Sequence, residues 1–184
     1  SYLVHFPLFA VADGMGGHAA GEVASTLAVS SLAESTLAKP SPEELGAAIE
    51  KANLAVLDGV ERGVGRPGMG TTCSAVVIGG SHMAVGHVGD SRVYLLHEGK
   101  LLRVTHDHSF VEELVEAGEI TPEEARVHPS RSIITRALGS DPNMKADAFM
   151  IDVTTGDRVL LCSDGLSSMV PDDAIEETMV STTT

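Results

Sequence analysis

An α+β fold with segregated helices and antiparallel strands is the architecture this chain predicts, and three features of its patterning carry that expectation. Two helical segments follow a single opening strand, four short β-rich runs then succeed one another around Gly-containing turns, and a charged helical stretch separates these from two further strands. A chain of 184 residues, 43% of them hydrophobic, is long enough for one domain with a sizeable core. With 3% aromatic residues and no Trp, that core must be aliphatic.

The opening strand is Leu8–Ala12, five apolar residues running into Asp13-Gly14-Met15-Gly16-Gly17-His18. These glycines let the backbone turn sharply and come close to a ligand. Ala19–Ala38, with Val23, Leu27, Leu32 and Leu37 among many alanines, suits a helix packed closely on a sheet. A second helix runs from Pro42 to about Arg62. Ser41 as N-cap, Pro42 at the first position and Glu44 three beyond the cap compose a capping box, and Ile49, Leu54, Val56, Leu57 and Val60 form an apolar face. After the Gly-rich turn Gly63–Gly70 come strands at Thr71–Ile78, Met83–Val88, Arg92–His97 and Leu101–Val104. Turns at Gly79-Gly80, Gly89-Asp90 and Glu98-Gly99 join them as antiparallel hairpins, a meander that needs another layer to bury its face. From Thr105 the chain turns helical and charged. Ser109 caps a helix through Ala117, Gly118-Glu119-Ile120 breaks it, and Thr121-Pro122-Glu123-Glu124 repeats the capping-box signature. Residues 105–138 are therefore expected to form a surface insert. Ala148–Val153 and Arg158–Cys162 read as a last hairpin around Thr155-Gly156-Asp157, and Asp172–Glu177 as a helix with an acidic first turn.

The formal net charge of −14, from 12 basic and 26 acidic residues, argues against nucleic acid and anionic membrane surfaces as partners and leaves acids available for cations. Cys73 and Cys162 lie within apolar strands, as reduced core thiols rather than a disulfide, which fits a cytoplasmic protein. Tyr2–Ala12 is apolar but short, contains His5 and Pro7 and has no basic leader, so it is neither a signal peptide nor a membrane span.

Three apolar strands end in an Asp flanked by Gly: at Asp13, at Asp90 within Gly89-Asp90-Ser91, and at Asp164 within Ser163-Asp164-Gly165. One such dipeptide is an ordinary turn. Three of them on neighbouring strands would repel one another unless a cation lay between, and oxygen ligands of this kind suit magnesium or manganese. Ser91 and Ser163 lack a Gly-x-Ser-x-Gly elbow, and the glycines from Gly14 to Gly21 lack a Gly-Lys-Ser/Thr, which argues against a serine hydrolase and against a nucleotide loop. His106 and His108 around Asp107 read as a solvated entrance to the insert rather than a second metal site.

In order, Asp13-Gly14-Met15-Gly16-Gly17-His18, Gly70-Thr71-Thr72, Gly89-Asp90-Ser91-Arg92 and Ser163-Asp164-Gly165 resemble the metal-dependent Ser/Thr protein phosphatases (type 2C, or PPM) of the bacterial branch, from about Leu8 to about Ile175. The resemblance implies a four-layer αββα sandwich, two antiparallel sheets flanked by helices, with Mn2+ or Mg2+ at one edge. Asp13 would bridge two ions, the Gly14 carbonyl would bind one and Asp164 the other, and Asp90 with Asp164 would hold a weaker third. The implied reaction is hydrolysis of phosphoserine and phosphothreonine in proteins by metal-activated water, with a Ser/Thr kinase and its substrates as partners, and residues 105–138 as a flap that affects substrate choice. His18 follows the glycine turn, where it could protonate a leaving alkoxide; eukaryotic members carry a His directly after Asp-Gly, where this chain has Met15. The family's phosphate-gripping Arg, its Asn-Glu-Asp segment and its C-terminal Asp-Asn pair have no counterpart here. The expectation is a sandwich incomplete at both ends, with a weakened metal site. The rival reading is a non-catalytic phosphatase-like binding module or an inactive phosphatase fragment.

Overall fold

Tyr2–His5 (β1) and Leu8–Val11 (β2) are apolar runs separated by Phe6-Pro7, and they pair antiparallel from Tyr2↔Val11 to His5↔Leu8. The opening strand is therefore the second arm of a hairpin, with Leu3 packed against the core and Tyr2 and Val4 exposed. The structure, a computed structural model, describes residues 1–182 apart from the side chain of His18. Gly14–Met15 (β3) leads into His18–Ala33 (α1), which stops at Ala33 rather than Ala38, where the Ser35 hydroxyl donates back to the Leu32 carbonyl. Pro42–Glu61 (α2) starts as expected at Ser41, whose Oγ accepts from the Glu44 N–H at 3.2 Å. Only half of the box forms: the Glu44 carboxylate does not accept from the Ser41 N–H, and the Ser41 hydroxyl donates to Glu43 at 3.1 Å.

The chain continues through Gly70–Thr71 (β4), Cys73–Gly79 (β5), His82–Val88 (β6), Arg92–His97 (β7) and Lys100–Arg103 (β8). Phe110–Glu116 (α3) and Pro122–Val127 (α4) lie in the insert. Ser109 caps α3 by accepting from the Glu112 N–H, and Thr121 with Glu124 forms a complete capping box on α4. Asp147–Asp152 (β9), Arg158–Cys162 (β10), Asp164–Ser167 (α5) and Asp172–Ser181 (α6) complete the order.

Five strands form one sheet in the order β1-β2-β5-β6-β9, three form another in the order β10-β7-β8, and β3 pairs with β4. All the strand pairs are antiparallel. Ala24, Ala28 and Leu32 of α1 and Leu45, Ile49 and Val56 of α2 bury the outer face of the five-stranded sheet, with Ala75, Val77 and Ala84. Val76, Met83 and Val85 on its inner face meet Val93 and Leu95 of the smaller sheet. Beyond that sheet, Tyr94 and Cys162 pack with Ile175 of α6. The layers are thus α, β, β, α, as the resemblance implied.

Two expected pairings are corrected. Residues 148–153 and 158–162 do not form a hairpin: β9 pairs with β6 (Met83↔Ile151) and β10 with β7 (Leu160↔Tyr94). The intervening turn, in which Asp157 accepts from the Thr154 N–H at 2.8 Å, carries the chain from one sheet to the other. Likewise Gly89-Asp90 is a crossing between sheets and not a hairpin turn, so the four-run meander divides into β5-β6 and β7-β8. Two sheets face to face bury more of these strongly apolar strands than one continuous meander could. Both cysteines are buried and unpaired, as expected. Among the described residues no helix is long and apolar enough to cross a membrane.

Candidate metal centre

The end of β2 is held by backbone chemistry at Thr71 and Thr72. The Asp13 carbonyl accepts from the Thr72 N–H and from Thr71 Oγ1, both at 2.9 Å, and the Asp13 N–H donates to Thr72 Oγ1 at 2.9 Å. Thr72 Oγ1 also meets Ser91 Oγ at 2.7 Å, which ties the Asp13 turn to the residue after Asp90. Gly14 is required for space: a Cβ there would overlap the backbone of Gly21 in the first turn of α1. Asp90 sits in the crossing from β6 to β7, and Asp164 is the first residue of α5, directly after β10. Elements from both sheets therefore deliver the three acids to one place.

Their electrostatics show how close they are. Burial pushes the Asp90 carboxyl up to about 6, and the negative charges of Asp164, Asp107 and Asp13 push the same way. Desolvation also raises Asp164, and the neighbouring Asp13 carboxyl pushes the same way. Among the described residues, no Lys or Arg forms an ion pair with Asp13, Asp90 or Asp164. Arg92, the nearest cation in sequence, is engaged by Asp107 through Nε and Nη2 at 2.7–3.2 Å. Asp13 and Asp90 are half-buried and Asp164 is exposed; three carboxylates gathered without a protein cation, beside the Gly14 carbonyl, are a donor set that fits a hard divalent ion. A cavity of about 330 Å³ opens beside Asp90 and Asp164, and Val111 of α3 with Ala125 and Arg126 of α4 lines its far side.

His18 begins α1 directly after the glycine turn, but its side chain lies outside the described residues. The three residues around Asp107 separate. Asp107 pairs with Arg92 and Arg103, His106 is exposed near Glu112 and Glu116, and His108 is buried. Sequence reasoning missed a buried polar cluster behind Asp90. His87 donates from Nε2 to the His106 carbonyl at 2.9 Å and meets Ser74 through Nδ1, and its ring lies 4.8 Å from that of His108. A His within the apolar run Met83–Val88, with polar Ser74 in the preceding strand, was the available signal.

Comparisons with known proteins place the chain among protein phosphatases. A family model described as protein phosphatase 2C matches residues 2–183. Serine/threonine protein phosphatase PstP of Mycobacterium tuberculosis is 46% identical over 175 residues, which are 94% of this chain and 34% of PstP. Serine/threonine phosphatase stp of Listeria monocytogenes is 42% identical over 182 residues, 95% of this chain and 72% of that protein. The chain thus spans about a third of the length of the mycobacterial relative. Among solved structures, the M. tuberculosis phosphatase PstP/Ppp superposes with a TM-score of 0.90 at 44% identity, covering 97% of this chain and 77% of that one. The PstP catalytic domain in complex with two manganese ions superposes with a TM-score of 0.87 at 43% identity, covering 98% and 76%.

Proposed function

The chain belongs to the protein phosphatase 2C family, and from that premise we propose that it is a metal-dependent hydrolase of phosphoserine and phosphothreonine in proteins. The observation that carries the reading is the convergence of Asp13, Asp90 and Asp164 from separate elements without a protein cation among them. In this reading Asp13, the Gly14 carbonyl and Asp164 would together hold two Mn2+ or Mg2+ ions, and Asp90 with Asp164 would hold a weaker third. Ions bound there would acidify a water and neutralise phosphate charge. Thr71 and Thr72 orient Asp13 through its backbone, and the Gly14–Gly21 contact keeps the Gly14 carbonyl at the turn. His18, directly after that turn, gives a proton to the seryl or threonyl oxygen as the phosphoester bond breaks. Residues 105–138 act as a flap within the single domain, a role supported by α3 and α4 lining the cavity beside the acids.

Phosphorylated proteins are the substrates under this reading, and a Ser/Thr kinase with its targets is the partner system. Two buried, unpaired thiols support a reducing, cytoplasmic setting. The test is manganese-dependent hydrolysis of p-nitrophenyl phosphate, with a chelator and Asp164→Asn as controls. We expect chelator to abolish turnover and Asp164→Asn to lower it about 100-fold or more, as loss of a direct ligand should. Manganese binding without turnover would instead favour a phosphatase-like binding module.

A further inference from the structure

Gly89, directly ahead of Asp90, is held by a single residue on both of its peptide groups. Its N–H donates to Nδ1 of His108 at 3.0 Å, and its carbonyl accepts from the His108 backbone N–H at 2.7 Å. Gly89 has a φ of 104°, and a side chain there would run into Thr72, so the crossing relies on a backbone only glycine provides. A backbone N–H can only donate, so Nδ1 of His108 carries no proton. The ring hydrogen is therefore on Nε2, which donates to Asp147 Oδ2 at 2.9 Å. Arg136 donates to the other oxygen of Asp147 at 2.5 Å. His108 is 8% exposed, and its own carbonyl accepts from the Thr135 N–H at 2.9 Å, which joins the two ends of the insert.

We propose that His108 is a positioning residue for Asp90: its Nδ1 lone pair sets the peptide that leads into the carboxylate, and Asp147, braced by Arg136, fixes the tautomer that presents this lone pair. The proposal rests on the reading of Asp90 as a metal ligand. It makes the base of the insert a part of the metal centre's framework, although no atom of His108 is asked to touch an ion. Outer partners of this kind set the aim of a ligand, and their loss typically weakens metal binding by about 10–100-fold.

Two near-isosteric variants separate positioning from simple bracing. His108→Asn carries an amide oxygen near the place of Nδ1, able to accept from Gly89, whereas His108→Gln carries an amide nitrogen near Nε2, able to donate to Asp147 while Gly89 loses its acceptor. Mn2+ binding is read by calorimetry and the Gly89 amide by hydrogen exchange. We expect the weakest Mn2+ step to loosen about tenfold in His108→Gln, with faster Gly89 exchange, and to stay near wild type in His108→Asn. Asp147→Asn, a milder change, should shift the same step in the same direction by less. Equal losses in the Asn and Gln variants, or unchanged Mn2+ binding in both beside a lowered melting temperature, would reduce His108 to a fold brace and overturn the proposal. No Mn2+ binding by the wild-type chain would overturn the metal reading of Asp90 itself, and the proposal with it.

Discussion

Burial decides the charge of His87. Desolvation pushes its pKa down to about 4 from an ordinary 6.5, against an opposite pull from Asp107, Asp147 and the His106 carbonyl. Between those values the unfolded chain takes up a proton that the native ring refuses, so stability is lost as pH falls through 6.5 towards 4. Each unit is worth about 1.4 kcal/mol, which makes the loss about 2 kcal/mol by pH 5. Urea midpoints at pH 7 and pH 5 should therefore move apart more in the wild type than in His87→Gln, whose amide can still donate to the His106 carbonyl. Equal pH shifts in the two proteins would mean that His87 is charged in the fold. The same residue illustrates what could be read in advance. Asp13, Asp90 and Asp164 were legible because each carries a local signature, an Asp beside Gly at the end of an apolar strand. The cluster behind them was not, since His108 meets Gly89 and Asp147 across 19 and 39 residues of chain.

Helix α1 crosses β3 where both elements carry glycine, and this contact sets a sign that propensity alone gets wrong. Alanine in place of a helical glycine normally stabilises by about 1 kcal/mol. At Gly21 an added Cβ would lie 2.6 Å from the carbonyl carbon and oxygen of Gly14, backbone atoms that can yield only if the helix moves. Gly21→Ala should destabilise by about 3 kcal/mol in thermal denaturation and weaken Mn2+ binding through the displaced Gly14 carbonyl. A neutral or stabilised variant would show that the helix does not pack this tightly. In α4 the complete capping box gives a milder, local case: Thr121→Ala should cost about 1 kcal/mol, seen as faster amide exchange confined to the insert. Caps of this kind were readable because they are local, and Ser41, Ser109 and Thr121 all cap where expected. Strand partnership was not. Residues 148–153 and 158–162 have the local look of a hairpin, and only the burial available between two sheets sends them to different partners.

Across the whole molecule, 26 acidic residues against 12 basic ones leave the fold short of cations, and the shortage is sharpest where Asp13, Asp90 and Asp164 meet. Architecture was legible at this level because helix and strand segments alternate in blocks, whereas the convergence of the acids depends on a crossing between sheets at Gly89-Asp90. If that convergence is a metal centre, stability and metal binding should oppose each other at Asp164. Without metal, desolvation and the neighbouring Asp13 carboxyl both disfavour its charged form, so Asp164→Asn removes that cost and should melt above the wild type. With Mn2+ at about a hundred times its dissociation constant, the wild type gains about 2.7 kcal/mol from binding the folded state alone. In a domain of this size that corresponds to roughly 5–10 °C in melting temperature, a gain the Asn variant should largely lack. The two melting curves should therefore exchange order between chelator and manganese. Moderate NaCl in place of manganese should narrow the metal-free gap by screening without reversing it. If the variant melts no higher than the wild type in chelator, the carboxylates are not held together in the folded chain. If the order does not reverse with manganese, Asp164 is not a ligand.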